Sequence, residues 1–251
     1  GQAKGKYPGA KSYADWRRML EQSDIDAVTV STPDHMHCAI AMAAMALGKH
    51  VYVQKPLTHS IFEARQLLKA AQKFGVVTQM GNQHRSNAHM KGAKYLIEQG
   101  AIGKVREAHV WTDRPIWPQG MDRPAGQDPI PSNFDWDLWL GVAPERPFKK
   151  SAYHPFKWRG FWDFGTGALG DMACHTLNMS FMAMDMRNPT SIKAESDGHD
   201  GNCFPKWSVI EYTFKTKEGK EFKMFWYDGS KMPPRKLISD LPRNANGKHF
   251  N

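Results

Sequence analysis

Ala27-Val28-Thr29-Val30-Ser31-Thr32-Pro33-Asp34 and His50-Val51-Tyr52-Val53-Gln54-Lys55-Pro56 decide the fold. Each opens with a short apolar run rich in β-branched residues, too short for a helix, and reads as a buried strand. Residues 34–47 between them read as a helix, with Asp34 as its N-cap and Gly48 as its stop. Ser60-Ile61-Phe62-Glu63 fits a capping box, in which hydroxyl and carboxylate satisfy each other's free backbone N–H groups. The helix it opens runs to Phe74 and stops at Gly75, and residues 76–80 make a third strand. Upstream, residues 12–22 form a helix with Trp16, Met19 and Leu20 on one face. Strand, helix, strand, helix, strand implies parallel pairing through right-handed crossovers.

Beyond Gly81 the pattern changes. Residues 86–99 read as a helix and 105–113 as a strand. Residues 114–133, rich in Pro and Gly and without periodicity, form a long loop. A short helix at 136–140 and a single buried helix over 166–184 follow, then strands at 191–196, 207–215 and 221–227, the last two flanking a hairpin loop at 216–220. The tail from Gly229 carries three prolines and little apolar content. The fold class is α/β: residues 1–83 make a partial Rossmann-like parallel sheet, and residues 84–251 an α+β domain with a mostly antiparallel sheet.

With 41% hydrophobic and 24% charged residues, the 251-residue chain has a globular composition. No apolar run approaches the roughly 18 residues of a membrane span, so no membrane partner is expected. Residues 1–11 are polar and carry no signal-peptide core. The compartment stays open between the cytoplasm and, if an export signal precedes Gly1, the periplasm. The net charge is +9, but +5 of it falls in residues 215–251, with no basic stripe elsewhere, which argues against nucleic acid. Cys38, Cys174 and Cys203 are widely spaced and form neither a disulfide framework nor a zinc pattern; each reads as a small buried side chain.

Four segments could carry chemistry. A lysine at the carboxyl end of a buried parallel strand, as Lys55 is, stands where open α/β sheets bind ligands. Pro56 holds Lys55 extended, and partial desolvation would suit its amine to proton transfer; a plain surface lysine is the alternative. Thr32-Pro33-Asp34-His35-Met36-His37 ends the neighbouring strand: a rigid turn for a flat ring, or only a helix cap with two histidines. On a helix Asp171 and His175, four apart, share a face. They could be an acid–base pair, two metal ligands or a structural hydrogen bond, and no third ligand with convincing spacing accompanies them, so no metal is expected. Ser151-Ala152-Tyr153-His154-Pro155-Phe156-Lys157-Trp158-Arg159-Gly160 mixes rings and polar groups, which suits sugar recognition and equally ordinary packing. Asn82-Gln83-His84-Arg85 closes the third strand as another polar cluster.

Those segments, in that order, resemble the glucose–fructose oxidoreductase and inositol dehydrogenase family (Gfo/Idh/MocA). Lys55-Pro56 resembles the second half of its Glu-Lys-Pro motif, and Asp171 with His175 its Asp-x-x-x-His helix. The resemblance implies that a sugar, glycoside or cyclitol hydroxyl exchanges a hydride with NAD or NADP. Lys55 and His175 would handle the hydroxyl proton, and Asp171 would bind substrate or orient His175. Thr32, Pro33, His37 and Gln54, with Lys55, would line the nicotinamide pocket; Gln83, His84, Tyr153, His154, Trp158 and Arg159 would meet the substrate. A homo-oligomer through the C-terminal sheet is also implied.

Two departures stand out. Gln54 replaces the family's usual Glu, which removes a negative charge beside Lys55. The family's first strand, its glycine-rich phosphate-binding turn and its acidic residue for the adenosine ribose read as absent. The chain is therefore expected to be part of a longer protein, to have an unpaired edge on its first strand, and to bind NAD or NADP weakly or not at all by itself. Two other functions fit: a glycoside lyase or hydrolase that oxidises its substrate transiently with bound NAD, and a carbohydrate-binding or assembly protein that kept only the fold.

Overall fold

In the computed structural model, which describes residues 5–198, 201–216 and 219–239, the three apolar runs are strands of one parallel sheet. After helix α1 (Trp16–Leu20) come β1 (Ala27–Val30), α2 (Asp34–Ala46), β2 (His50–Gln54), α3 (Ile61–Phe74) and β3 (Thr78–Gly81), with β2 between β1 and β3. Val28 stands opposite Val51, and Gln54 opposite Gly81. β1 borders the sheet, as expected.

The α3 capping box is present: Glu63 N donates to the Ser60 hydroxyl, and Ser60 N donates to the Glu63 carboxylate at 2.8 Å. The helix ends at Gly75 with φ 63°, a left-handed conformation that favours glycine. The start of α2 differs from the reading. Pro33, not Asp34, is its cap, and it makes no side-chain cap hydrogen bond. Proline brings a fixed φ and no N–H donor to that boundary. The strands also differ. They are not buried throughout: Val28, Val30, Val51 and Val53 are buried against Ile40, Ala41, Ala44 and Leu67, whereas Ala27, Thr29, His50 and Tyr52 are exposed. The helices of this core meet one face of the sheet, so alternate positions lose their cover.

The rest of the chain opens with a 3-10 turn (Gln83–Ser86), then α4 (Ala88–Glu98) and β4 (Glu107–Trp111). After the long loop come α5 (Trp136–Leu140), α6 (Gly167–Thr176), α7 (Asn178–Met184), β5 (Ser191–Ser196), β6 (Ser208–Lys215), β7 (Glu221–Tyr227) and α8 (Arg235–Ile238). The sheet order is β4-β7-β6-β5; β7, β6 and β5 pair antiparallel and β4 joins parallel to β7. Val110, Ile210, Met224 and Trp226 form its core, packed on Leu169, Met172 and Ala173 of α6. The expected helix over 166–184 is two helices meeting at Leu177. Thr176 Oγ1 donates to Met172 O at 3.2 Å just before the break, a back-bond that bends helices. In the hairpin loop Thr216 N donates to Lys220 O at 2.8 Å, while Lys217 and Glu218 lie outside the described residues. So do residues 240–251 of the tail; α8 was not foreseen.

The chain forms two compact units, Gly1–Gly81 with Pro129–Phe148, and Asn82–Asp128 with Lys149–Asn251. The sequence reading kept 84–251 together; in the structure residues 129–148 cluster with the first unit instead. Two contacts hold them there. His35 Nε2 lies 3.2 Å from both Trp139 O and Leu140 O. Gly141 has φ 53°, a conformation that favours glycine, and packs against the Met36 side chain, where a Cβ would stand 2.1 Å from Sδ.

Candidate functional site

In the first unit the polar residues gather where β1 and β2 end. Thr32 is exposed; Pro33, Gln54 and Lys55 are half-buried. Gln54 Oε1 accepts from Lys55 N at 2.9 Å, and a Cβ at Gly81 would lie 2.7 Å from that oxygen, so the glycine leaves room for the folded-back amide. A carboxylate at position 54 would bring a charge into this contact; the amide brings none.

His37 is fully buried at 0% exposure. Its Nδ1 is 2.8 Å from Pro56 O and its Nε2 2.9 Å from Thr32 O. A side chain without accessible surface cannot line a cofactor pocket, which corrects the expectation for this residue. It bridges the turns after β1 and β2 instead. Burial pushes its pKa below the usual value; the two carbonyls and Glu63 oppose that shift, and Lys55 adds to it. Thr32 also lines a cavity of about 840 Å³ with Tyr13, Trp16, Asp24, Phe134 and Trp139, all of the same unit.

The second unit holds a separate cavity of about 690 Å³, lined among others by Gln83, His84, Trp111, Met172, His175 and Met179. Gln83 and His84 come from the 3-10 turn after β3 and His175 from α6; the His84 and His175 rings are 5.2 Å apart, tilted by 52°. His109 of β4 lines it too and was not foreseen, since an isolated histidine in a strand carries no sequence signal. Its ring stacks on Phe225 at 4.7 Å, with Nδ1 3.0 Å from the Tyr227 hydroxyl and Nε2 3.1 Å from the Glu107 carboxylate. Among the described residues no group of three His, Cys, Asp or Glu could hold a metal ion.

Segment 151–160 behaves differently from the sugar-stacking surface expected of it. Tyr153 is 2% exposed and packs edge-on against Phe161 and Phe164 at 4.7 and 5.2 Å. Trp158 is buried, its indole N–H donates to Pro155 O at 3.1 Å, and the Arg159 guanidinium lies 4.3 Å from its ring centre. Neither ring offers an open face to a sugar, because protein atoms already cover it. His154 is exposed, next to the cis peptide bond at Pro155, and is not among the residues lining the 690 Å³ cavity. Arg159 donates from Nε to Asp171 at 3.2 Å.

Residues 2–82 match the oxidoreductase family with an NAD-binding Rossmann fold, and residues 86–232 match that family's C-terminal alpha/beta domain. The chain belongs to the Gfo/Idh/MocA family. A levoglucosan dehydrogenase of Pseudarthrobacter phenanthrenivorans is 28% identical over 67% of this chain and 35% of its own length. A 1,5-anhydro-D-fructose reductase of Ensifer adhaerens is 34% identical over 40% of this chain and 30% of its own. The crystal structure of the Bordetella pertussis WlbA dehydrogenase, with NADH and UDP-GlcNAcA, shares the fold at a TM-score of 0.62 and 21% identity, over 93% of this chain and 62% of that one. The chain thus spans about a third of the length of these curated relatives.

The hydroxyl of Thr32, the amide of Gln54 and the amine of Lys55 stand together at the ends of β1 and β2, polar groups of the kind a nicotinamide cofactor needs. A pyrophosphate cradle is another matter. The sequence does contain one Gly-x-Gly-x-x-Gly, Gly165-Thr166-Gly167-Ala168-Leu169-Gly170. It follows a 3-10 turn (Lys157–Gly160) rather than a strand, so it lacks the fingerprint's context. Its glycines already face protein atoms: a Cβ at 165 would meet Arg159 Cα at 2.6 Å, at 167 the Phe204 ring at 2.6 Å, and at 170 Thr166 Cβ at 2.3 Å. They serve close packing.

Proposed function

We propose that this chain carries the nicotinamide-end and substrate residues of an oxidoreductase that moves a hydride between a carbohydrate hydroxyl and NAD or NADP. The observation that carries this reading is Lys55 at the carboxyl end of β2, the middle strand of a parallel sheet whose sequence matches the family's NAD-binding fold. The relatives named for levoglucosan and 1,5-anhydro-D-fructose support a carbohydrate substrate. The cofactor supplies the hydride acceptor or donor. The protein's own work is with the proton. A hydroxyl gives up hydride more readily as it loses its proton, so a base poised near the working pH speeds the step. The Lys55 amine and the His175 imidazole are the groups assigned to take and return that proton. Gln83 and His84, beside His175 on the cavity wall, are assigned to hold substrate hydroxyls. Thr32, Pro33 and Gln54 bound the nicotinamide, with His37 fixing their turns from beneath.

Lys55→Ala and His175→Ala, made in the intact enzyme, should each lower turnover about 100-fold or more, the scale of lost general acid–base help. Steady-state kinetics with a reducible or oxidisable sugar checks this; near-full turnover in both variants would overturn the assignment.

A further inference from the structure

Arg159 belongs to the segment that reads as sugar-binding, yet its guanidinium is engaged on several sides. Nε donates to Asp171 Oδ1 at 3.2 Å and Nη1 donates to Phe156 O at 3.1 Å. Its central carbon lies 4.3 Å from the Trp158 ring centre, 4.5 Å from that of Phe156 and 6.0 Å from that of Trp117. Stacking on aromatic faces while pairing with a carboxylate through a planar fork is arginine chemistry that lysine does not reproduce. The paired carboxylate is on α6, is only 12% exposed at its side chain, and is not among the residues lining the 690 Å³ cavity. His175, one helical turn further on, does line that cavity. Gly165 completes the arrangement: a Cβ there would strike Arg159 Cα and O, both at 2.6 Å, so glycine lets the chain entering α6 pass against the arginine's backbone.

We propose that Arg159 is a positioning residue, which anchors α6 through the Asp171 carboxylate so that His175 is presented to the cavity. The anchor stands on geometry; its consequence for chemistry rests on the acid–base role proposed above for His175. Asp171 then acts by fixing the helix that bears the imidazole, and the Arg159–aromatic stack acts by fixing Asp171.

Nuclear magnetic resonance on the chain itself tests this without any turnover measurement. The Arg159 Nε–H should give a slowly exchanging signal shifted upfield by the indole beneath it, and Asp171→Asn should abolish that slow exchange. Arg159→Gln should speed amide exchange across residues 171–176 about tenfold or more, as loss of a hydrogen bond to a charged group does, while the β6 and β7 amides stay protected. It should also move the His175 ring signals. Arg159→Lys, which keeps the charge, should restore part of the protection, and Gly165→Ala should reproduce the Arg159→Gln effect in weaker form. Unchanged exchange on α6 and unmoved His175 signals in Arg159→Gln would overturn the proposal. So would loss of sugar binding with those signals unmoved, which would make Arg159 a direct substrate contact. Should His175→Ala keep full turnover while α6 loosens as described, the catalytic reading fails and the anchor stands.

Discussion

His37 shows how burial and hydrogen bonding can oppose each other at one side chain. Its ring faces two carbonyl oxygens, and a neutral imidazole has one N–H to give. Burial is the larger influence and holds its pKa below the ordinary value near 6.5. A base that binds its proton less readily when folded adds stability above the ordinary value and loses it as pH falls. Thermal melts should therefore show a decline in stability on acidification below about pH 6.5, and His37→Gln, which does not titrate, should flatten that part of the curve. An equal slope in the variant would assign the acid sensitivity elsewhere. The neighbouring thiol of Cys38, pushed up to about 11 by burial, contributes nothing there because it stays protonated. The sequence placed His37 at the right turn but not its orientation. Tyr153 and Trp158 teach the same limit: composition reveals rings near a site, while which face of a ring is already covered depends on Phe161, Phe164 and Arg159, brought in by the fold.

At the scale of the element, local chemistry was legible wherever it was self-contained. The α3 box needs only four consecutive residues, and its stop only Gly75, so both were readable. Ser60→Ala removes one side of the box and should cost about 1 kcal/mol in a urea melt, with Gly in its place costing only a few tenths. The break at Leu177 was not readable, because leucine is a good helix former and nothing adjacent forbids continuation. The two-sided burial inferred for β1 and β2 failed for a related reason: a run such as Ala27-Val28-Thr29-Val30 records apolarity but not how many faces receive helices.

Across the molecule, strand order and family were legible because order and spacing of several segments agreed, while the site itself was legible only in halves. Lys55 ends β2, and Gln83, His84 and His175 line one cavity, whereas the Tyr153 and Trp158 rings turned inward. The space beside the glycines at 165, 167 and 170 is filled by the protein's own atoms, and among the described residues no strand-to-helix turn is glycine-rich. The chain alone should accordingly bind NADH with a Kd on the order of 1 mM or weaker, because among the described residues no helix that follows a strand opens with a glycine-rich turn to take the pyrophosphate. Fluorescence titration would show it, and micromolar binding would mean that other residues here hold the phosphates.

The return of residues 129–148 to the first unit bears on how that unit can be prepared. A gene cut after residue 82, the end of its matched Rossmann segment, would encode β1 to β3 but strip away Trp139, Leu140 and Gly141. His35, 1% exposed in the intact chain, would lose the two carbonyls it faces, and Met36 would be laid open to water. Splicing 129–148 behind it through a flexible tether would keep those partners with the sheet.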